Sequence, residues 1–306
     1  MFGVRSIAPA DALSALTGAT STAEQAAAYV RIPRTVLALC VGAALALAGT
    51  TLQALTRNPL ADPGIFGILS GASLAVVTGI AFFGLNRPVP TMLAAICGSF
   101  AAAIFVYTVG SLGRGGATPL KLALSGAATA AACSSLVSAI LLPRTDVMDK
   151  FRFWQVGSVG GAQWEHLGMA TPFLVFGLII VLASATALNA LALGDDLAAS
   201  LGIHITRSRI LAGVGALLLC GVATALAGPI AFVGLIVPHI LRLLMGTDHR
   251  LLLPASAVGG GLLLVVADTL GRVIARPSEI AVGVLTPLLG APLFIWIVRR
   301  TRVREL

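Results

Sequence analysis

The chain has 306 residues, of which 58% are hydrophobic and only 10% charged. A soluble domain carries about 25% charged residues, so these few charges cannot cover a water-facing surface, and the chain is a membrane protein. Its net charge of +8 is almost all arginine, with lysine only at Lys121 and Lys150; in short loops between spans such charge orients helices or meets partners rather than binding nucleic acid.

Residues 1–35 come first, with Arg5, Asp11, Glu24, Arg31 and Arg34 among small polar residues. They hold neither a signal peptide nor a spanning helix and are read as an extracytoplasmic N-terminal segment. Windows without any charge follow, such as 36–56, 91–112 and 168–194. Each exceeds or matches the roughly 20 helical residues that cross a hydrocarbon core. Backbone groups in lipid must be paired within their own segment, and the windows do not alternate as barrel strands do. The expected fold is therefore an all-α polytopic membrane protein. Nine spans are expected near 36–55, 64–83, 91–112, 122–142, 169–193, 209–228, 230–246, 251–270 and 280–298. Together they form a transmembrane domain over 36–298, followed by a tail at 299–306. The seventh, opening "GPIAFVGLIVPH", is short and rich in proline, and can include a short extra helix instead of a full crossing.

The basic end "RRTRVREL" sets the orientation, because arginine clusters favour the cytoplasm. Counting back through nine spans places residues 1–35 outside and the loops with Arg57, Arg114, Lys121, Arg207, Arg209 and Arg250 inside. Arg31, Arg34, Arg144, Lys150, Arg152, Arg272 and Arg276 then fall on the outer side. That excess of basic residues outside calls for a reason, and an acidic partner is one.

Cys40, Cys97, Cys133 and Cys220 all lie in apolar segments and imply no disulfide or metal framework. The 34 glycines let helices approach closely, and the 67/71 and 157/161 pairs have small-xxx-small spacing. "ALALAG" (44–49) and "ATALAG" (223–228) end two spans expected to run in opposite directions, a weak sign of an inverted repeat.

Three stretches stand out. "TRNPLADPGIFG" (56–67) turns on Asn58-Pro59 and Asp62-Pro63, each biasing the preceding residue away from helix; it is either a tight connecting loop or a rigid polar elbow at the inner mouth of a pathway. "GDDLAASLGIHITRSR" (194–209) places Asp195 and Asp196 at a helix start and Leu197, Leu201 and Ile203 on one apolar side, with Gly202 as a stop. It is either a solvated loop or a helix laid on the membrane, ready to dock a soluble partner. The outer arginines Arg31, Arg34 and Arg272 either snorkel or form a basic rim for acidic side chains of a docking protein. Arg272 follows Asp268 by four residues, so an ion pair along the helix is possible.

Absences narrow the field. There is no G-x-x-x-x-G-K-[ST], so no P-loop nucleotide site is expected. Ionisable residues in mid-span are scarce, which argues against a carrier driven by an ion gradient, the alternative function. His166, His204, His239 and His249 lack ligand spacing, so neither metal nor cofactor is expected, and no catalytic cluster is present.

"RIPRTVLALCVGAALALAGTTLQALTRNPLADPGIFGILSGAS", "GPIAFVGLIVPHILRLLMGTDHRLLLP" and "PSEIAVGVLTPLLGAPLFIWIV" resemble, in order, the FecCD-type permeases of iron-siderophore, haem and cobalamin ABC importers. The resemblance implies a type II importer permease of about ten helices with an inverted repeat. It implies a second permease subunit, identical or related, two cytoplasmic ATPase subunits and an extracytoplasmic substrate-binding protein. It implies a bacterial cytoplasmic membrane location and a ferric siderophore or haem- or cobalamin-like chelate as cargo. By the same resemblance Arg31, Arg34 and Arg272 meet glutamates on the binding protein, and Asn58 and Leu60 form the inner gate. Pro119 and Leu120 occupy a second gate segment, though they replace the small hydroxylated residues of the cobalamin branch. Asp195, Leu201 and Gly202 touch the ATPase. "SIAPADALSALTG" resembles the outer segment that follows the family's first helix, so that helix is expected to be missing, through a late-assigned start codon, truncation or a real nine-helix variant; the intact mass of a functional complex decides.

Overall fold

The computed structural model describes residues 14, 18, 22–85, 87–112, 118–276 and 278–300. Of "SIAPADALSALTG" only Ser14 and Gly18 are among them, and Arg114 and the tail beyond Arg300 lie outside the described residues. The fold is helical. In chain order the helices are α1 (Ala23–Thr56), α2 (Ile68–Phe83), α3 (Pro88–Ser111), α4 (Pro119–Leu141), α5 (Thr145–Gln155), α6 (Trp164–Ala183), α7 (Ala185–Ala192), α8 (Asp195–Ser200), α9 (Ile205–Ala227), α10 (Val233–Met245), α11 (His249–Ile274) and α12 (Val282–Arg300), with a 3-10 turn at Pro63–Phe66. Among the described residues six helices are long and apolar enough to cross a membrane: α1, α3, α4, α6, α9 and α11. Three apolar helices, within α2, α10 and α12, are shorter.

Two element boundaries differ from the sequence expectation. α1 begins at Ala23, well ahead of residue 36. A capping box starts it, the Thr22 side chain accepting from Gln25 N and the Gln25 side chain accepting from Thr22 N. Pro33 lies inside the helix. The expected span at 169–193 is broken at Ser184 into α6 and α7. The Ser184 hydroxyl donates to the Ile180 carbonyl at 2.7 Å, back-bonding of a kind that bends helices. The short, proline-bearing α10 does stand where a short helix was allowed for.

α1 is the hub, packed against α11, α9, α10 and α6. Two glycine crossings set its closest approaches. A Cβ on Gly42 would strike the Gly260 carbonyl of α11, and one on Gly49 would strike Gly234 of α10. Backbones this near exchange dispersion contacts that lipid chains cannot match. Gly71 likewise meets Gly98 of α3, whereas Gly67 serves as a left-handed cap and Gly161 faces open space. Around α1 gathers one apolar core including Leu47, Ile68, Leu188, Leu219 and Leu264.

Candidate functional site at the two ends of helix α1

Arg34 and Arg57 are separated by 23 residues of α1, or about 34 Å at 1.5 Å per residue, close to the ~30 Å thickness of a hydrocarbon core. Each anchors an ionic cluster.

At the Arg34 end, α11 delivers Asp268, whose side chain is 3% exposed. Arg34 donates to it from Nη2 at 2.8 Å and from Nε at 3.1 and 3.2 Å. Arg272, one turn on in α11, pairs with the other oxygen at 2.9 Å. Arg34 also donates to Glu279 at 2.8 Å. The Asp268–Arg272 pairing that spacing allowed is therefore present. Arg34 and Arg272 are turned inward to a shared acid, and the more exposed Glu279, at 40%, adds a negative charge to the rim. Arg31 stands one helical turn before Arg34 and is half-buried.

At the Arg57 end the chain turns sharply. Arg57 caps α1 with left-handed backbone, φ 50°, a conformation that a non-glycine residue adopts only when neighbours hold it. The neighbours are evident. Arg57 donates twice to the Leu191 carbonyl at the end of α7, at 2.6 and 3.0 Å, and to the Asp195 carboxylate. Asn58 and Asp62 then close two side-chain turns, accepting from Leu60 N at 2.9 Å and Gly64 N at 2.8 Å. Pro63 opens the 3-10 turn that leads into α2. The elbow does not remain at the helix ends: it folds back among the spans. Gly67 lies against Val106 and Thr129, and the Ile68 carbonyl accepts from Ser99 in α3. Leu60 is left exposed and Asn58 half-buried.

The same Asp195 is the first residue of α8 and accepts from Arg209 of α9 at 2.8 and 3.1 Å. Desolvation works against its charge, but the hydrogen bond from Arg57 and the attraction of Arg209 and Arg57 prevail and hold its carboxyl below the usual range. Ala198 and Ile203 turn inward onto Ala190 and Leu191. Leu197 and Leu201, 56% and 63% exposed, point away. Gly194 and Gly202 bracket the helix with positive φ, 114° and 79°. Asn189 of α7 completes this end, donating to Asp248 and accepting from the His249 amide, at 2.6 and 2.9 Å.

The structure thus brings Asp195 and the Asn58–Leu60 elbow together through Arg57. Leu120, 70% exposed in the first turn of α4, is not tied to them, and the side chain of Pro119 lies outside the described residues. Arg57 and Arg209 were read from sequence only as loop charges. Their shared acid is 138 and 14 residues away, and no local spacing rule reports a contact of the first kind.

A helical bundle with an ionic clamp at each end of its central helix and an apolar pair projecting from one end suits transport. The family model for the FecCD transport family matches residues 1–300. The chain belongs to the FecCD transport family. It is 41% identical over 302 residues to the ferric enterobactin transport system permease protein FepD of Escherichia coli K12, covering 98% of this chain and 90% of that protein. It is also 41% identical over 278 residues to the hemin transport system permease protein HmuU of Yersinia pestis, covering 89% and 83%. A solved metal-chelate type ABC transporter in an inward-facing conformation superimposes with a TM-score of 0.82 at 32% identity, covering 95% of each chain. This FecCD-family chain is therefore an all-helical transport permease with the fold of ABC importer membrane subunits.

Proposed function

We propose that the chain is the membrane subunit of an ATP-driven importer of a ferric siderophore or similar metal chelate. The observation that carries the reading is the match along nearly the whole chain to permeases named for ferric enterobactin and hemin. In this reading two permease subunits enclose the path in the bacterial cytoplasmic membrane. ATPase subunits dock at the Arg57 end, which with the C-terminus faces the cytoplasm, and a binding protein docks at the Arg34 end.

The geometry supports a division of labour. Leu197 and Leu201 form an exposed apolar pair in an otherwise polar turn, the kind of patch that marks a docking surface. Motion imposed on α8 reaches the Asn58–Leu60 gate through Asp195 and Arg57, without passing through the packed core. Gly202 permits the tight exit that keeps Leu201 outward. Leu120, with Pro119, lines the path as a second gate segment. At the other end Arg31 steers the acidic face of the binding protein. Arg34 and Arg272 hold the rim in place through Asp268. Ligand and nucleotide then shift the balance between outward- and inward-open states by binding them unequally.

Reconstitution tests this. In vesicles holding the permease, its ATPase and its binding protein, uptake of a ferric siderophore should require ATP and all three components. Uptake by the permease alone under an ion gradient would overturn the reading in favour of a secondary carrier.

A further inference from the structure

At the Arg34 end, α2, α3, α5, α6 and α9 line an open-mouthed cavity of about 600 Å³. Small-molecule sites span about 300–1,000 Å³, so it is large enough to hold a ligand. Its lining is sorted by depth. The apolar spans of α3 and α6 begin at Val89 and Trp164. Arg87 sits just before the first, and His166 in the opening turn of the second; both line the cavity. Met92 and Met169, about one turn further along each helix, line its deeper part, with Val76 and Ala225. Polar groups are thus level with the membrane boundary and apolar ones lie beneath.

The strongest polar group in the lining is a donor, the Arg87 guanidinium. Trp154 Nε1 is buried and has no acceptor among the described residues. With that nitrogen closed off, Trp154 meets the cavity through the rest of its side chain. Arg87 offers a fork of N–H donors. Thr91, also in the lining, spends its hydroxyl proton on the Arg87 carbonyl at 2.9 Å. No carboxylate is among the lining residues described. The mouth therefore offers donors and positive charge, and the floor offers hydrocarbon.

We propose that this cavity binds an anionic phospholipid from the surrounding bilayer, its phosphate at Arg87 and part of an acyl chain over Met92 and Met169. The shared chemistry is an oxyanion joined to an apolar tail, and a bilayer supplies it at high local concentration. Tryptophan at the headgroup level and arginine toward an anionic head follow the general pattern of membrane interfaces. The assignment is independent of cargo and of the direction of transport.

The test is lipid retention. The assembled complex is reconstituted in vesicles of equal phosphatidylglycerol and phosphatidylcholine, extracted in mild detergent and weighed by native mass spectrometry. The wild type should retain phosphatidylglycerol in preference to phosphatidylcholine. Arg87→Gln should lower that retention about ten-fold, the lower end for losing one charged hydrogen bond, while Arg87→Lys keeps most of it. Assembly and thermal unfolding of each variant report intact folding. Equal retention of the two lipids, unchanged retention in Arg87→Gln, or displacement by excess inorganic phosphate alone would each overturn the proposal.

Discussion

Asp268 accepts hydrogen bonds from Arg34, a residue 234 positions earlier in the chain, while also pairing with Arg272 on its own helix. One buried acid is thus shared by two arginines, and Glu279 supplies Arg34 with a second carboxylate.

Removing that acid takes a shared carboxylate from two mostly buried guanidinium groups. Breaking a buried ion pair by deleting one partner costs about 3–5 kcal/mol. Asp268→Ala should therefore lower the thermal unfolding midpoint of the detergent-purified permease markedly, whereas Glu279→Ala, at the more exposed carboxylate, should change it little.

Docking of the binding protein should depend on Arg31 in a cleaner way than on Arg34. Reversal at Arg34 collides with Asp268 and confounds docking with instability. Arg31→Glu should weaken association several-fold, mainly by slowing it, because rim charges act on encounter. Association rates at two salt concentrations check this: the difference between wild type and variant should shrink as salt rises.

Leu201→Asp should leave the permease as stable as wild type to within about 0.5 kcal/mol, as expected of an exposed site. It should reduce co-purification of the ATPase and separate hydrolysis from uptake. Paired measurements of both rates in vesicles decide the matter; normal coupling would remove α8 from the docking surface.

The Asp195 clamp has a defined pH dependence. Its carboxyl is held below the ordinary value, about 3.9, in the folded chain. Its contribution is therefore present above that value and lost as pH falls through the lowered one. A spin label at Ser200 should gain mobility only on strong acidification. In Asp195→Asn the label should be mobile already at neutral pH and show no such step.

Gly49→Ala should destabilise more than a typical small-to-large core change of about 1–3 kcal/mol, because the new methyl meets the Gly234 backbone rather than a side chain that can move. The unfolding midpoint measures it, with Gly161→Ala, in open space, as the control.

The broad architecture was legible because charge-free windows of membrane length admit few other structures. The elbow was legible too, since Asn58-Pro59 and Asp62-Pro63 forbid a continuing helix. The start of α1 was not. Arg31, Pro33 and Arg34 resemble a boundary, and the acids that pair with Arg34 there, Asp268 and Glu279, come from the far end of the chain. The break at Ser184 was hidden by an unbroken apolar window. In 194–209, composition identified the segment but grouped Leu197, Leu201 and Ile203 on one apolar side. Instead Ile203 turns in and Leu197 and Leu201 turn out, a choice made by contacts with α7 that local periodicity does not encode.

The interruption at Ser184 has a mechanical outcome. Below it, α7 is tethered sideways through Leu191 to Arg57 and through Asn189 to Asp248 and the His249 backbone. The short helices and helix tips at that end thus form a cross-braced floor plate, and in the proposed importer a thrust delivered at Leu201 would reach Arg57 through that bracing rather than through the glycine-locked shaft.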